Sequence, residues 1–123
     1  MKQILINNFK CLEGSFIYGL HENAHFDVSA FWDYYNSLVF ITKETKENRD
    51  LDRKTTDMVC YTYSYIMRSL VWNFCPDDLY SISNLPADDL NLYVERLEIA
   101  FMGYIKGQVI NDSSFELVNP TKQ

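Results

Sequence analysis

Glycine and proline are scarce in this chain, four and three among 123 residues, and the alternating β-branched runs that mark strands are missing. Helices joined by short loops are therefore expected. No uncharged apolar stretch approaches the roughly 20 residues that cross a bilayer. The apolar run Ile4-Leu5-Ile6 stops at Asn7, far short of a signal-peptide core. A protein of the cytoplasm, off the membrane, is the expectation. The three cysteines, Cys11, Cys60 and Cys75, lack the close pairing of a zinc knuckle or a C-x-x-C motif, so reduced thiols are expected. Clusters of Lys and Arg are missing too, which argues against binding the nucleic-acid backbone.

What is abundant is aromatic and acidic. Nine Tyr and eight Phe, with 47% hydrophobic residues, are far from the composition of a disordered chain. One domain with one core fits this length. The net charge is −6 and unevenly spread, nine acids against eight bases up to Arg68 and eight against three from Ser69 onward. The acidic half suits a basic protein partner, because complementary potentials speed encounter and set orientation.

The longest helical stretch is Arg53 to Phe74, which contains no Gly or Pro. Val59, Tyr63, Ile66, Met67, Leu70 and Phe74 share one face at helical spacing. Tyr61, Tyr65, Arg68 and Trp72 form a second stripe, with the residue types of interface anchors, expected to pack under the terminal helices. Before it, Asn8 to Glu22 reads as a first helix. Asp27 reads as the N-cap of a second, carrying Phe31, Trp32, Tyr35 and Leu38 to about Ile41. Thr42 to Lys54 alternates in charge and reads as a solvated helix end and loop. Pro76 with Asp77 and Asp78 predicts a short helical segment to Ser83. Pro86 to Asp89 repeats the device before a last helix ending near Gly107. The tail, residues 108–123, is expected to pack loosely. The whole predicts an all-α fold, a single small domain of four to five helices packed around a long central helix.

One string looks catalytic. His21-Glu22-Asn23-Ala24-His25 is a literal H-E-x-x-H, which on a helix holds Zn²⁺ between two imidazoles with the Glu as base. It falls where the first helix should end, and no third ligand is evident. No G-x-S-x-G elbow or Gly-rich phosphate loop accompanies it. The residues imply no cofactor.

The strings Asn8-Phe9, Leu12-Glu13-Gly14-Ser15-Phe16, Leu20-His21-Glu22-Asn23 and Phe31-Trp32, with Ser64 to Leu79 and Tyr93 to Tyr104, resemble a bacterial immunity family. It is immunity family forty-one of polymorphic-toxin and contact-dependent growth inhibition systems. The resemblance implies an all-helical cytoplasmic inhibitor, not an enzyme, that binds the C-terminal domain of its cognate toxin. The acidic balance is consistent with a nuclease toxin, whose nucleic-acid groove is basic. Asp77, Asp78, Asp88, Asp89, Glu95 and Glu98 are the candidate toxin-binding residues, chosen for charge and expected exposure. An acidic helical adaptor unrelated to toxins is the alternative, and a zinc hydrolase through His21, Glu22 and His25 the third reading.

Overall fold

The structure is a computed structural model that describes residues 1–77 and 79–121. Five helices follow one another: α1 (Lys2–Phe9), α2 (Phe16–Glu22), α3 (Val28–Thr45), α4 (Arg53–Asn73) and α5 (Leu90–Lys106), with a 3₁₀ turn at Asp112–Ser114. Among the described residues the one extended pairing is an isolated parallel bridge between His25 and Ser83. No helix among them is long and apolar enough to cross a membrane. The all-α architecture is as the sequence predicts.

The elements nearest the centre are α3 and α5. Phe31, Trp32, Tyr34, Tyr35, Ser37, Leu38, Ile41 and Thr42 of α3 are all buried. At 3.6 residues per turn they cover more than half its circumference. Rings from several elements meet there: Phe31 lies 4.9 Å from Tyr93 of α5 and 5.6 Å from Phe16 of α2, edge to face. Such aromatic pairs add about 0.5–1.5 kcal/mol each beyond their buried area. The long helix α4 lies alongside and buries one stripe: Thr55, Met58, Val59, Thr62, Ile66, Ser69 and Leu70.

Local structure departs from expectation at four places. The predicted helix Asn8 to Glu22 is two helices, because Cys11 and Gly14 take left-handed backbone (φ 53° and 91°). Buried Asn8 ties the pieces together, donating to the Ile4 carbonyl (2.9 Å) and accepting from the Ile17 N–H (3.0 Å). Ser15 then caps α2 by accepting from the Tyr18 N–H. The second helix starts as predicted, with Asp27 accepting from the Ala30 N–H at 3.0 Å. It runs on to Thr45, one turn beyond Ile41, with its charged end in solvent.

The segment predicted to be a short helix from Pro76 to Ser83 is not helical in its described residues; Asp78 lies outside them. Its end is extended instead and is pinned between α4 and the loop after α2. The Ile82 N–H donates to Asn73 Oδ1 (2.7 Å), Ser83 N–H to the Ala24 carbonyl (2.7 Å), and Phe26 N–H to the Ser83 carbonyl (2.9 Å). Burial of Ile82 completes this clasp. The last helix ends as predicted at Gly107, whose φ of 69° favours glycine and whose Cβ would stand 2.9 Å from the Lys46 carbonyl oxygen.

The fourth departure is the tail. Arg96 of α5 is wholly buried. Its Nη1 donates to Asp112 (2.5 Å) and to the Tyr35 hydroxyl (2.9 Å), and its Nε to the Leu117 carbonyl (3.2 Å), which Nη2 also reaches. The guanidinium carbon lies 4.1 Å from the Phe115 ring centroid, with Trp32 and Tyr35 at 5.3 and 5.2 Å. Farther on, buried Asn119 donates to Asn36 of α3 at 2.8 Å. The tail expected to pack loosely is held against α3 and α5.

Two stability predictions follow from these groups. Asp112→Ala strands a buried guanidinium, and the expected loss is about 3 kcal/mol, the low end for a broken buried pair because Asp112 remains 37% exposed. Urea unfolding measures it, and a loss under about 1 kcal/mol would mean that water reaches Arg96 without help. The Tyr34 phenol is fully buried against Thr62, 2.7 Å away, and burial pushes it well above its ordinary value of 10.0. A raised folded value keeps this contribution whole below about pH 10 and loses it as pH climbs further. Stability should thus fall above about pH 10, and Tyr34→Phe should reduce that fall.

Candidate protein-docking surface

The two flanks of the buried stripe on α4 differ. On one, Tyr63 stacks flat on Phe101 of α5, 4.3 Å between centroids and 3° between planes. On the other stand Tyr61, Tyr65, Arg68 and Trp72, one helical turn apart each. This second stripe, expected to be covered by the terminal helices, is open: Tyr61 is 46% and Trp72 39% exposed. α1 and α2 reach its edge only, through Phe9, 5.3 Å from Tyr61, and His21, 6.0 Å from Tyr65. Phe74, placed by periodicity on the core face, is instead exposed just past the helix end, with Val71 and Leu79 near it in sequence.

The result is a line of aromatic side chains held in place by polar bonds. Tyr61 and Tyr65 stack at 6.3 Å. The Tyr65 hydroxyl lies 2.6 Å from His21 Nδ1. Tyr80 donates to the Leu20 carbonyl at 2.6 Å, and its ring meets Trp72 edge to face at 6.5 Å. Arg68 lies over the Trp72 ring, 5.4 Å from its centroid. Between these groups is a cleft of about 260 Å³ lined by His21, Tyr65, Ser69, Trp72 and Tyr80. Burial, then neighbouring Cys11 and Tyr61, raises the Tyr65 phenol, and burial, then Tyr65, raises that of Tyr80. Both stay neutral hydrogen-bonding groups at physiological pH.

The H-E-x-x-H string has lost its helical geometry. α2 ends at Glu22, Ala24 turns through a left-handed φ of 46°, and His25 joins the bridge to Ser83. His25 Nδ1 is 2.8 Å from Ser83 Oγ, while His21 turns toward Tyr65. The two imidazoles serve different partners. Among the described residues no three His, Cys, Asp or Glu side chains gather as metal ligands. Cys11 also lacks the marks of a nucleophile, since burial and then Glu22 raise its thiol above the ordinary 9.0 and keep it protonated.

The candidate acids among the described residues sit in different elements. Asp77 is exposed, in a turn and not at a helix start, and Asp88 is exposed ahead of α5. Asp78 lies outside the described residues. Asp89 is half-buried and caps α5 through its backbone carbonyl, which the Tyr93 N–H reaches at 3.3 Å, and not through its side chain. Glu95 and Glu98 are exposed on α5, Glu98 on the Tyr63 side of α4. The structure thus adds His21, Tyr80 and Phe74 to the stripe that periodicity picked out.

No known protein family, curated protein or solved structure matches this chain.

If the stripe serves binding and not folding, its removal should be nearly silent in stability. Trp72→Ala should cost far less than Ile66→Ala, which opens a cavity in the core and should lose about 2–5 kcal/mol. Thermal or urea unfolding of the two variants tests this, and equal losses would make Trp72 a core residue.

Proposed function

We propose that this chain is an immunity protein that binds and neutralises a cognate toxin domain, a nuclease, in the cytoplasm of the producing bacterium. It acts by occupying a surface of the toxin and performs no chemistry of its own. The observation that carries the reading is the exposure of Tyr61 and Trp72 on α4, with half-buried Tyr65 between them, continued by Phe74. Exposed aromatics beside an Arg are the residue types that dominate binding energy at protein interfaces. Contiguous apolar exposure of this kind marks interaction sites. The resemblance of Leu12 to Phe16, Leu20 to Asn23 and Ser64 to Leu79 to the immunity family adds the toxin as the kind of partner.

Charge supplies the second support. With a net charge of −6 the chain attracts a basic surface, and a nuclease presents one to its nucleic acid. Exposed Asp77, Asp88, Glu95 and Glu98 then act at long range on the rate of encounter, with Asp78 and Asp89 as the remaining candidates. The aromatic line acts at contact, on the lifetime of the complex.

Co-expression with the toxin domain encoded next to this chain tests the proposal directly. Cells carrying both should grow, and cells carrying the toxin domain alone should not; equal killing would end the immunity reading. The two roles separate kinetically. Trp72→Ala should weaken binding by at least about 2 kcal/mol through faster dissociation. Changing Asp77, Asp78, Asp88 and Asp89 to Asn should lower the association rate and its salt dependence. A neighbourhood without any secreted effector would favour the acidic adaptor, which would use the same surface.

A further inference from the structure

The side of α4 turned away from the core carries a pattern of its own. Lys54, Asp57, Tyr61, Ser64, Arg68 and Val71 recur at alternating three- and four-residue steps, and all six are exposed. Residues so spaced line up along one side of a helix, as the seam of a two-helix coiled coil does. They lie opposite Thr55, Val59, Thr62 and Ile66, which seat α4 in the domain.

Coiled-coil seams are mostly apolar, and polar residues within them select partner and register. Here the charges make that selection. Among the described residues neither Asp57 nor Arg68 has an ion-pair partner. They stand eleven positions apart, roughly 16 Å along the helix axis, too far to meet within one chain. Taken in reverse order, however, the stripe complements itself. A second α4 laid antiparallel, with the midpoint between residues 62 and 63, brings Asp57 level with Arg68, Tyr61 level with Ser64, and Lys54 level with Val71. Two-fold symmetry makes each of these contacts twice.

Each level suits its occupants. Acid faces base, a large ring faces a small hydroxyl, and the Lys54 stem covers Val71 while its ammonium comes beside the Trp72 indole, whose face attracts cations. A parallel pair would set Asp57 on Asp57 and Arg68 on Arg68. Sliding one copy by a heptad leaves Asp57 without a base, level with Tyr61 one way and beyond the helix end the other. The net charge of −6 opposes the approach of two copies, but a Debye length of about 8 Å at physiological salt confines that repulsion. The stripe itself holds two bases and one acid.

We propose that α4 pairs antiparallel with α4 of a second copy of this chain through this stripe, forming a reversible dimer. The inference goes beyond toxin binding and does not rest on it. The pairing covers Tyr61 and brings Trp72 to its margin, so the dimer and a toxin seated on the aromatic line exclude one another.

Sedimentation of the full chain, from low micromolar to millimolar concentration, provides the test. The expected result is a rise from the monomer mass toward twice that mass. Asp57→Arg and Arg68→Asp should each weaken association by at least about tenfold, because each sets like charges against one another at two symmetric contacts. A chain carrying both substitutions should regain the parent's affinity to within a few-fold. Within one chain the two positions are too far apart to compensate for each other, so this rescue reports a contact between copies. Both positions are exposed, and the far-UV spectra of all three variants should match the parent. A monomer at every concentration, a dimer indifferent to either reversal, or a double variant as weak as the single ones would each overturn the proposal. No toxin enters the experiment, so its failure leaves neutralisation standing, and failure of neutralisation leaves the dimer standing.

Discussion

A guanidinium with no access to water sets the terms for half of this fold. A charge moved out of water costs several kcal/mol even after the protein relaxes, unless partners replace the lost hydration. A guanidinium, unlike an ammonium, does not escape that cost by losing its proton. The chain supplies what Arg96 needs from α3 and the tail: the Tyr35 hydroxyl and the Trp32 ring from the first, Asp112, the Phe115 ring and the Leu117 carbonyl from the second. The contacts with Asp112, Leu117 and Phe115 are lost if the tail leaves, and Tyr35 and Trp32 alone remain. The tail is therefore a structural part of the domain, and α3 and α5 are held in one register by a network that tolerates few alternatives.

The all-helical class, and α3, α4 and α5 within it, were legible because strong periodic stripes and end signals agree. Asp27 and Gly107 each behave as their local chemistry dictates, and between such signals helices α3 and α5 had little freedom. The readings that failed did so where local propensity was overridden by contacts distant in sequence. Nothing near Pro76 announces that Ile82 and Ser83 will be captured by Asn73 and Ala24, which lie 9 and 59 residues away. Asn8 looks like an ordinary polar helix residue, yet it holds two helices together from a buried position. Arg96 sits within an amphipathic helix, where a lone Arg normally reads as solvent-facing. Its partners Asp112 and Leu117 lie 16 and 21 residues downstream, beyond any helical spacing.

The candidate surface was half legible. Tyr61, Tyr65, Arg68 and Trp72 share a stripe by simple geometry, so their grouping could be read; whether they were covered could not. Periodicity counts apolar residues and gave α4 two competing faces. His21 and Tyr80 join the surface from 44 residues before Tyr65 and from a non-helical segment, and no spacing rule connects them. The acids were chosen for charge, and Asp77 stands in a turn where a helix start had been inferred.

The orientation of α4 has a physical cause that a hydropathy pattern conceals. Its buried stripe runs through Thr55, Thr62 and Ser69, polar residues seven apart, flanked by Met58, Val59, Ile66 and Leu70. Polar residues are admitted to a core when their hydroxyls are satisfied. Thr55 donates to Asp52 at 2.7 Å, and Thr62 donates to the Met58 carbonyl at 2.9 Å while meeting Tyr34. Small residues at a helix seam allow close approach, and a close approach leaves no room for tyrosine or tryptophan. The large rings are thus displaced to the flanks. On one flank α5 covers Tyr63 with Phe101. On the other, α1 and α2 are too short, at eight and seven residues, to cover a helix of 21. The same small seam that seats α4 in the domain therefore leaves Tyr61 and Trp72 facing outward, with Tyr65 half-buried between them. A rigid aromatic face loses little entropy on binding, and that economy suits a surface built for tight association.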